Sequence, residues 1–203
     1  MSDLAVNHHA DHPGFSGLTG SLFALMFLFT GKAGARLAAD VTAVGPGDLV
    51  VDVGCGPGTA ARVAASRGAQ VTGVDPSPSM LRVARLVTRR TTKISWAEGS
   101  AEKLPVSDSS ATVVWALATV HHWRDVAAGI AESQRVLVPG GRLLAVERQS
   151  PPAASGVASH GWTRRQAEAF AALCRSAGMV DVDIADRRAG RRAVWAVSAR
   201  LRS

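Results

Sequence analysis

The sequence predicts an α/β fold: a doubly wound, mostly parallel sheet of seven strands with helices on both faces, closed by an antiparallel C-terminal hairpin strand. Three observations carry that prediction. Short apolar runs alternate with helical stretches from residue 49 to residue 147, the pattern of consecutive β-α units. The strand candidates lack a polar–apolar alternation, as expected of strands covered on both faces. The first strand runs directly into a glycine-rich turn and then a helix.

Residues 1–20 are polar, with His8, His9, His12 and several glycines, and read as an irregular lead-in. His9 and His12 have ligand spacing, but only Asp11 accompanies them, so a tail is expected and no metal site. Residues 21–44 suit a helix, weakened or broken at Gly31 and Gly34. Its stretch Leu22–Phe29 is apolar nearly all round and needs cover, as a lid on an acceptor pocket, in a homodimer, or at a membrane surface. Lys32 follows within a turn, so the stretch falls short of the ~20 apolar residues of a membrane span. Lys and Arg are absent ahead of it, unlike a secretory signal. A cytoplasmic protein without a transmembrane segment is expected, with residues 1–45 as lead-in and lid helix and residues 46–203 as the main domain.

The alternation then reads as a strand at Leu49–Val53, a helix at Thr59–Ser66 closed by Gly68, and a strand at Gln70–Val74. A helix at Ser77–Arg89 follows, with Leu81, Ala84 and Leu86 inward. Strands at Lys93–Glu98 and Ala111–Leu117 come next. A helix at Asp125–Leu137 is stopped by Pro139-Gly140-Gly141, and a strand covers Arg142–Glu147. Ser150–Ser159, rich in Ser, Pro and Ala, is expected to be a mobile loop. Thr163, with Gln166 three residues on, opens a helix by a capping box that ends near Gly178. Strands at Val180–Ala185 and Ala193–Ala199 are joined by the Arg- and Gly-rich stretch Arg187–Arg192, a hairpin.

Composition agrees with one globular domain: 203 residues, 47% apolar and 19% charged. Cys55 and Cys174 lie far apart outside any CxxC pair, which excludes a disulfide framework and a cysteine zinc site. The formal charge is +7, so an anionic partner must be weighed. The arginines are scattered, with Arg82, Arg85, Arg89 and Arg90 on one helix and Arg187, Arg188, Arg191 and Arg192 in the hairpin. Five Phe, five Trp and no Tyr leave few stacking platforms. Nucleic-acid binding is not expected.

The chemistry lies in Asp52-Val53-Gly54-Cys55-Gly56-Pro57-Gly58-Thr59. Glycines there let a ligand lie against the backbone, and the helix that follows offers free N–H groups. A dinucleotide site needs G-x-G-x-x-G, but the last glycine position is Thr59. The spacing is G-x-G-x-G, which disfavours a nicotinamide-dependent oxidoreductase. A Walker loop is excluded because no Gly-Lys-Ser/Thr follows. Asp75, at the end of the second strand, is placed to accept ribose hydroxyls, or else to cap the next helix, a task Ser77 could perform equally well.

Residues 49 to about 147 resemble the class I S-adenosylmethionine-dependent methyltransferases, in particular the group related to the ubiquinone and menaquinone methyltransferases. Four blocks match in order: Val51-Asp52-Val53-Gly54-Cys55-Gly56-Pro57-Gly58; Val74-Asp75-Pro76-Ser77; Glu98-Gly99-Ser100-Ala101-Glu102-Lys103-Leu104-Pro105; and Arg135-Val136-Leu137-Val138-Pro139-Gly140-Gly141-Arg142-Leu143. The resemblance implies a Rossmann-like sheet that binds S-adenosyl-L-methionine and releases S-adenosyl-L-homocysteine. It implies a cofactor set of Asp52, Gly54, Cys55, Gly56, Gly58, Asp75, Pro76, Met80, Ser100, Ala101, Glu102, Ala116 and Leu117. Asp52 would organise the amino-acid end, Asp75 the ribose, Ser100 and Ala101 the adenine edge, and Met80 an adenine face. Ala116 and Leu117 would line the methionine moiety through backbone groups. Ser100 departs from the aspartate common in the family, which implies weaker affinity.

Methyl transfer needs the acceptor held in line with the activated carbon. A hydroxyl acceptor also needs a base or a metal. His121 and His122, just past the fourth strand, are the base candidates, against a structural or hydrogen-bonding role common in the family. His160 and Trp162 either line the acceptor pocket or anchor a loop. Cys55 reads as a packing residue. Ala116-Leu117-Ala118-Thr119 stands where adenine-N6 methylating relatives carry Asn/Asp-Pro-Pro-aromatic. The apolar stretch Leu22–Phe29 points to a small, hydrophobic acceptor, with a non-catalytic cofactor-binding module as the rival reading.

Overall fold

The computed structural model describes residues 6–7, 31–88, 93–152, 154 and 159–203. His8, His9, His12, Leu22–Phe29, Arg89 and Arg90 lie outside them, as does part of Ser150–Ser159.

The elements in chain order are α1 (Lys32–Val41), β1 (Leu49–Val53), α2 (Thr59–Ser66), β2 (Gln70–Asp75), α3 (Pro78–Thr88), β3 (Ile94–Glu98), β4 (Ala111–Leu117), a 3-10 turn (Val120–His122), α4 (Val126–Val136), β5 (Leu137–Arg148), α5 (Arg164–Ser176), β6 (Val180–Ala189) and β7 (Arg192–Arg200). They form one seven-stranded sheet of order β3-β2-β1-β4-β5-β7-β6. Strands β1 to β5 pair parallel, and β7 pairs antiparallel with both β5 and β6.

Side chains leave the central strands in opposite directions, and both sets are buried. On one face Val51, Val114, Ala116 and Ala145 meet Ile130 of α4 and Phe170 of α5. On the other, Val50, Val113, Trp115 and Leu144 meet Ala38, Ala39, Ala61 and Ala64 of α1 and α2. This two-sided burial is the reason these strands read as continuous apolar runs.

Helix α1 belongs to this packed body. The expected 21–44 helix is a lid only by sequence. Within the described residues it begins at Lys32, with Gly31 at its N-cap, and buries Ala35, Ala38 and Ala39. Its end is tied to the sheet: Thr42 accepts a hydrogen bond from Trp115 Nε1 at 3.2 Å, and Arg142 bridges the Thr42 carbonyl and Asp48. Thus the expected domain boundary after residue 45 falls inside one core.

Two other expectations are corrected. Leu86 is 65% exposed, because the inward face of α3 is set by Leu81, Ala84 and Thr88, whose spacing turns Leu86 outward. Pro139-Gly140-Gly141 also does not separate helix from strand. The helix ends at Val136 and β5 begins at Leu137. The strand then bulges: Ala111 faces Leu137, while Val113 already faces Arg142. Gly140 takes φ +76° there, and the bulge bonds to Leu201 through two backbone hydrogen bonds. The hairpin strands run longer than expected, so Arg187 and Arg188 lie within β6 and a two-residue turn, Gly190-Arg191, joins Ala189 to Arg192.

The capping box on α5 forms as expected. Thr163 Oγ1 accepts from Gln166 N, and Gln166 Oε1 accepts from Thr163 N. Since α5 carries Phe170 into the core, Thr163→Ala is expected to cost about 1 kcal/mol and to lower Tm by about 2–4 °C in a thermal melt, with the folded circular dichroism spectrum retained.

Candidate active site

The polar groups of the sheet collect at its carboxyl-terminal edge. Asp52 stands next to last in β1 and is 2% exposed. Its Oδ2 is buried without a hydrogen-bond partner among the described residues. Burial pushes its carboxyl up to about 7, opposed by a hydrogen bond from the Ala61 backbone and reinforced by the nearby Asp75 charge. A buried, half-satisfied carboxylate of this kind awaits a positive or donating group.

The glycine loop is stitched to β2. The N–H groups of Gly54 and Cys55 both donate to the Val74 carbonyl, at 2.8 and 3.0 Å. Gly54 has φ +67° and Gly58 φ +80°. A Cβ on Gly54 would lie 2.1 Å from Thr119 Oγ1, and one on Gly58 would lie 2.2 Å from the Trp96 ring. Both need glycine for conformation and for space. A Cβ on Gly56 would meet nothing within 4 Å, so this side of the loop is open to a ligand.

Asp75 holds the loop from below. Its Oδ2 accepts from Gly56 N at 2.8 Å and its Oδ1 from Ser77 N at 2.9 Å. Burial pushes its carboxyl up from the usual range, against these two bonds. Each oxygen keeps a further lone pair. Ser77, not Asp75, accepts from Met80 N at the start of α3. Capping therefore falls to the serine.

The remaining predicted cofactor residues flank this pair. Pro76 follows Asp75, and Met80 is buried on α3. Ala101 and Ala116 turn their methyl groups into the core, which leaves backbone for a ligand; Leu117 ends β4. Glu102 is spoken for by its own neighbourhood. Its Oε1 accepts from the N–H groups of Arg124 and Asp125. Burial pulls its carboxyl up, but a Ser100 hydrogen bond and these backbone donors outweigh it and hold it below the usual range. The Ser100–Glu102 turn thereby braces the loop after β4.

Cys55 is buried, and its thiol is pushed well above the usual range by burial and by the charges of Asp52 and Asp75. It packs and does not attack.

The second half of the site follows β4. Ala118, a non-glycine residue at φ +54°, turns the chain out of the strand. This is a costly conformation of the sort found at functional sites. His121 then comes back into the fold, 3% exposed. Its Nδ1 donates to Glu147 Oε2 at 2.8 Å, while Glu147 Oε1 accepts from Val120 N at 2.9 Å. Glu147 is 1% exposed at the end of β5. In a neutral ring, an Nδ1–H committed to the carboxylate leaves the lone pair on Nε2.

His122 and His160 join this pair. The ring centroids of His121 and His122 lie 4.1 Å apart, and His160 lies 5.7 Å from each. Sequence reasoning missed Glu147 as a site residue and the assembly of His160 with the other two. The available signal was a carboxylate closing the apolar run Leu143–Val146.

Residues 6–7 bind both loops together. The Val6 carbonyl accepts from Trp162 Nε1 at 3.0 Å, and Asn7 Nδ2 donates to the carbonyls of Trp123 and Arg124.

Comparison with known proteins agrees with this geometry. Residues 51–145 match the methyltransferase domain family. A demethylmenaquinone methyltransferase of Tropheryma whipplei (strain Twist) is 35% identical over 116 residues, 57% of this chain and 48% of that protein. One from Chlorobaculum parvum is 43% identical over 103 residues, 50% of this chain and 42% of that protein. The chain thus spans about half the length of the curated relatives it matches. In structure, a SAM-dependent methyltransferase from Aquifex aeolicus superimposes with a TM-score of 0.76 at 14% identity, over 89% of this chain and 98% of the other. No helix among the described residues is long and apolar enough to cross a membrane. Over residues 51–145 the sequence is similar to the methyltransferase domain family, and the seven-stranded sheet has the fold of the SAM-dependent methyltransferase from Aquifex aeolicus.

Proposed function

We propose that the chain transfers the methyl group of S-adenosylmethionine to a small, hydrophobic molecule through an oxygen nucleophile. The observation that carries this reading is the pairing, at one sheet edge, of an open glycine loop between two buried carboxylates with a carboxylate-oriented histidine. The orphaned Asp52 oxygen and the space over Gly56 fit the cofactor. When bound, S-adenosylmethionine supplies a methyl group already activated by a sulfonium.

The chain's own residues do the rest. Asp52 balances the positive amino-acid end, Asp75 accepts from the ribose, and the 98–105 turn borders the adenine. Glu147 fixes the His121 tautomer, so that an Nε2 lone pair is the group that ionises the acceptor. His122 stands beside it. A hydrophobic acceptor is supported by the names of the two demethylmenaquinone methyltransferase relatives and by the apolar sequence Leu22–Phe29. Ala116-Leu117-Ala118-Thr119 after β4 speaks against a nucleobase amine.

Isothermal calorimetry tests the cofactor half. Heat is expected with S-adenosylmethionine and none with NAD; the reverse would overturn the proposal. Asp75→Ala removes charged hydrogen bonds worth about 1.5–3 kcal/mol and should weaken binding about 10- to 100-fold.

Asp52 sets the pH dependence. With its carboxyl near 7, a cationic ligand that favours the ionised form must expel a proton below that pH. Affinity should rise about tenfold from pH 6 to pH 8, with proton release readable from buffers of different ionisation enthalpy. Without ligand the sign is opposite. The unfolded chain loses this proton near 4 and the folded chain near 7. The Asp52 contribution to stability therefore falls as pH rises between those values. Asp52→Asn should flatten both profiles.

Radiolabelled methyl transfer to a panel of small phenolic and enolic acceptors tests the other half. His121→Ala should lower kcat about 100- to 10,000-fold while leaving S-adenosylmethionine binding intact. Binding without transfer to any acceptor would favour a non-catalytic module.

A further inference from the structure

The expectation of no metal site concerns His8, His9 and His12, which are close in sequence. The fold assembles a different set. One ring nitrogen from each of His121, His122 and His160 lies within 4.8 Å of the other two. We propose that these three histidines bind one divalent transition-metal ion of the zinc class, with its open coordination position facing the methyl acceptor. This rests on the acceptor-side reading of His121 above, and it replaces direct proton abstraction by Nε2 with ligation of the ion by that same lone pair.

Three independent features support the site. The first is the donor set. Three imidazoles with one position left over is the ligand pattern of catalytic rather than structural zinc. Imidazole nitrogens also prefer such ions to Mg²⁺ or Ca²⁺.

The second is the support behind the ligands. His121 donates Nδ1–H to Glu147, itself buried and held by Val120 N. A carboxylate behind a histidine fixes ring orientation and raises the basicity of the other nitrogen, as in carboxylate–histidine–zinc arrangements.

The third is how His160 is placed. Trp162 N donates to the Arg148 carbonyl at 2.8 Å, and Ser150 N donates to the Trp162 carbonyl at 2.9 Å. Between His160 and Trp162, Gly161 takes φ +150°, and a Cβ there would lie 2.2 Å from the Arg148 carbonyl oxygen. The chain is therefore pinned to the end of β5 one residue past Glu147, which delivers His160 to the other two rings. An ion about 2.0–2.1 Å from each nitrogen would draw them together by up to ~1.5 Å, within the reach of side-chain rotation.

The chemistry balances without another reactant. An acceptor hydroxyl taking the open position loses its proton to solvent water, as its O–H bond breaks and a metal–oxygen bond forms. An oxygen lone pair then makes the new bond to the methyl carbon, and the carbon–sulfur pair leaves with the sulfur. The ion lowers the hydroxyl's pKa at no further cost in protein groups.

The test uses the full chain without an affinity tag, stripped with a chelator and titrated with Co²⁺, then with Zn²⁺ in competition. The visible absorption of low-coordinate cobalt should saturate at one equivalent and disappear on adding Zn²⁺ but not Mg²⁺. His122→Ala and His160→Ala should each weaken cobalt binding at least about 100-fold, and Glu147→Gln about 10- to 100-fold. Calorimetry with S-adenosylmethionine on the same variants checks that they fold. Joint substitution of His8, His9 and His12 by alanine should leave the titration unchanged.

No cobalt band, a band that survives His160→Ala, or a band lost with the three N-terminal histidines would overturn the site. If no metal binds while His121→Ala still abolishes transfer, the metal falls and the acceptor-side reading stands. If metal binds but its removal leaves the transfer rate unchanged, the ion's role toward the acceptor is overturned.

Discussion

A parallel sheet covered on both faces has no room for charge in its middle. The buried side chains of β1, β4 and β5 are apolar until the strand nears its carboxyl end. There the rule breaks three times. Asp52, Asp75 and Glu147 are buried carboxylates at or near the ends of β1, β2 and β5. Each is costly where it stands, and each is held by backbone N–H groups or a histidine rather than by a lysine or arginine. The rest of the molecule keeps these three groups dry, close and oriented.

The three carboxylates do different work because their partners differ. Asp75 is satisfied by two backbone donors and shapes the loop. Asp52 is left with an unused oxygen and a high affinity for its proton. Glu147 spends its charge on one imidazole. The first two stand on strands that are neighbours in the sheet. The third stands two strands from β1, across β4, and faces whatever approaches from the other side. The proposed division between donor and acceptor halves follows strand order.

Local features were legible in the sequence. Gly54, Gly56 and Gly58 answer to dihedral angles fixed within a few residues, and the Thr163–Gln166 box to one helical turn. Asp75 could be placed at the sheet edge because it closes the short apolar run of β2. Residues whose roles depend on distant partners could not be read in this way. Glu147 looks like the last residue of a strand until His121 is set against it, and His160 like a loop residue until Trp162 pairs with Arg148. The motif points Glu102 to the cofactor, and its carboxylate also accepts from a loop more than twenty residues away in sequence. Pro139-Gly140-Gly141 reads as a stop because its local preference is for a turn. Its partner, Leu201, lies at the other end of the domain.

The contact between Gly54 and Thr119 has a thermodynamic meaning of its own. The missing side chain of one lets the other lie against the cofactor loop, and Thr119 is two residues from His121. A ligand that shifts the glycine loop must therefore move or clamp the segment that aims the histidines. Occupancy on one side of this contact changes the free energy of occupancy on the other, and the effect runs equally in both directions. A methyl donor and a methyl acceptor sharing such a wall are not independent guests: each helps or hinders the binding of the other by the same factor.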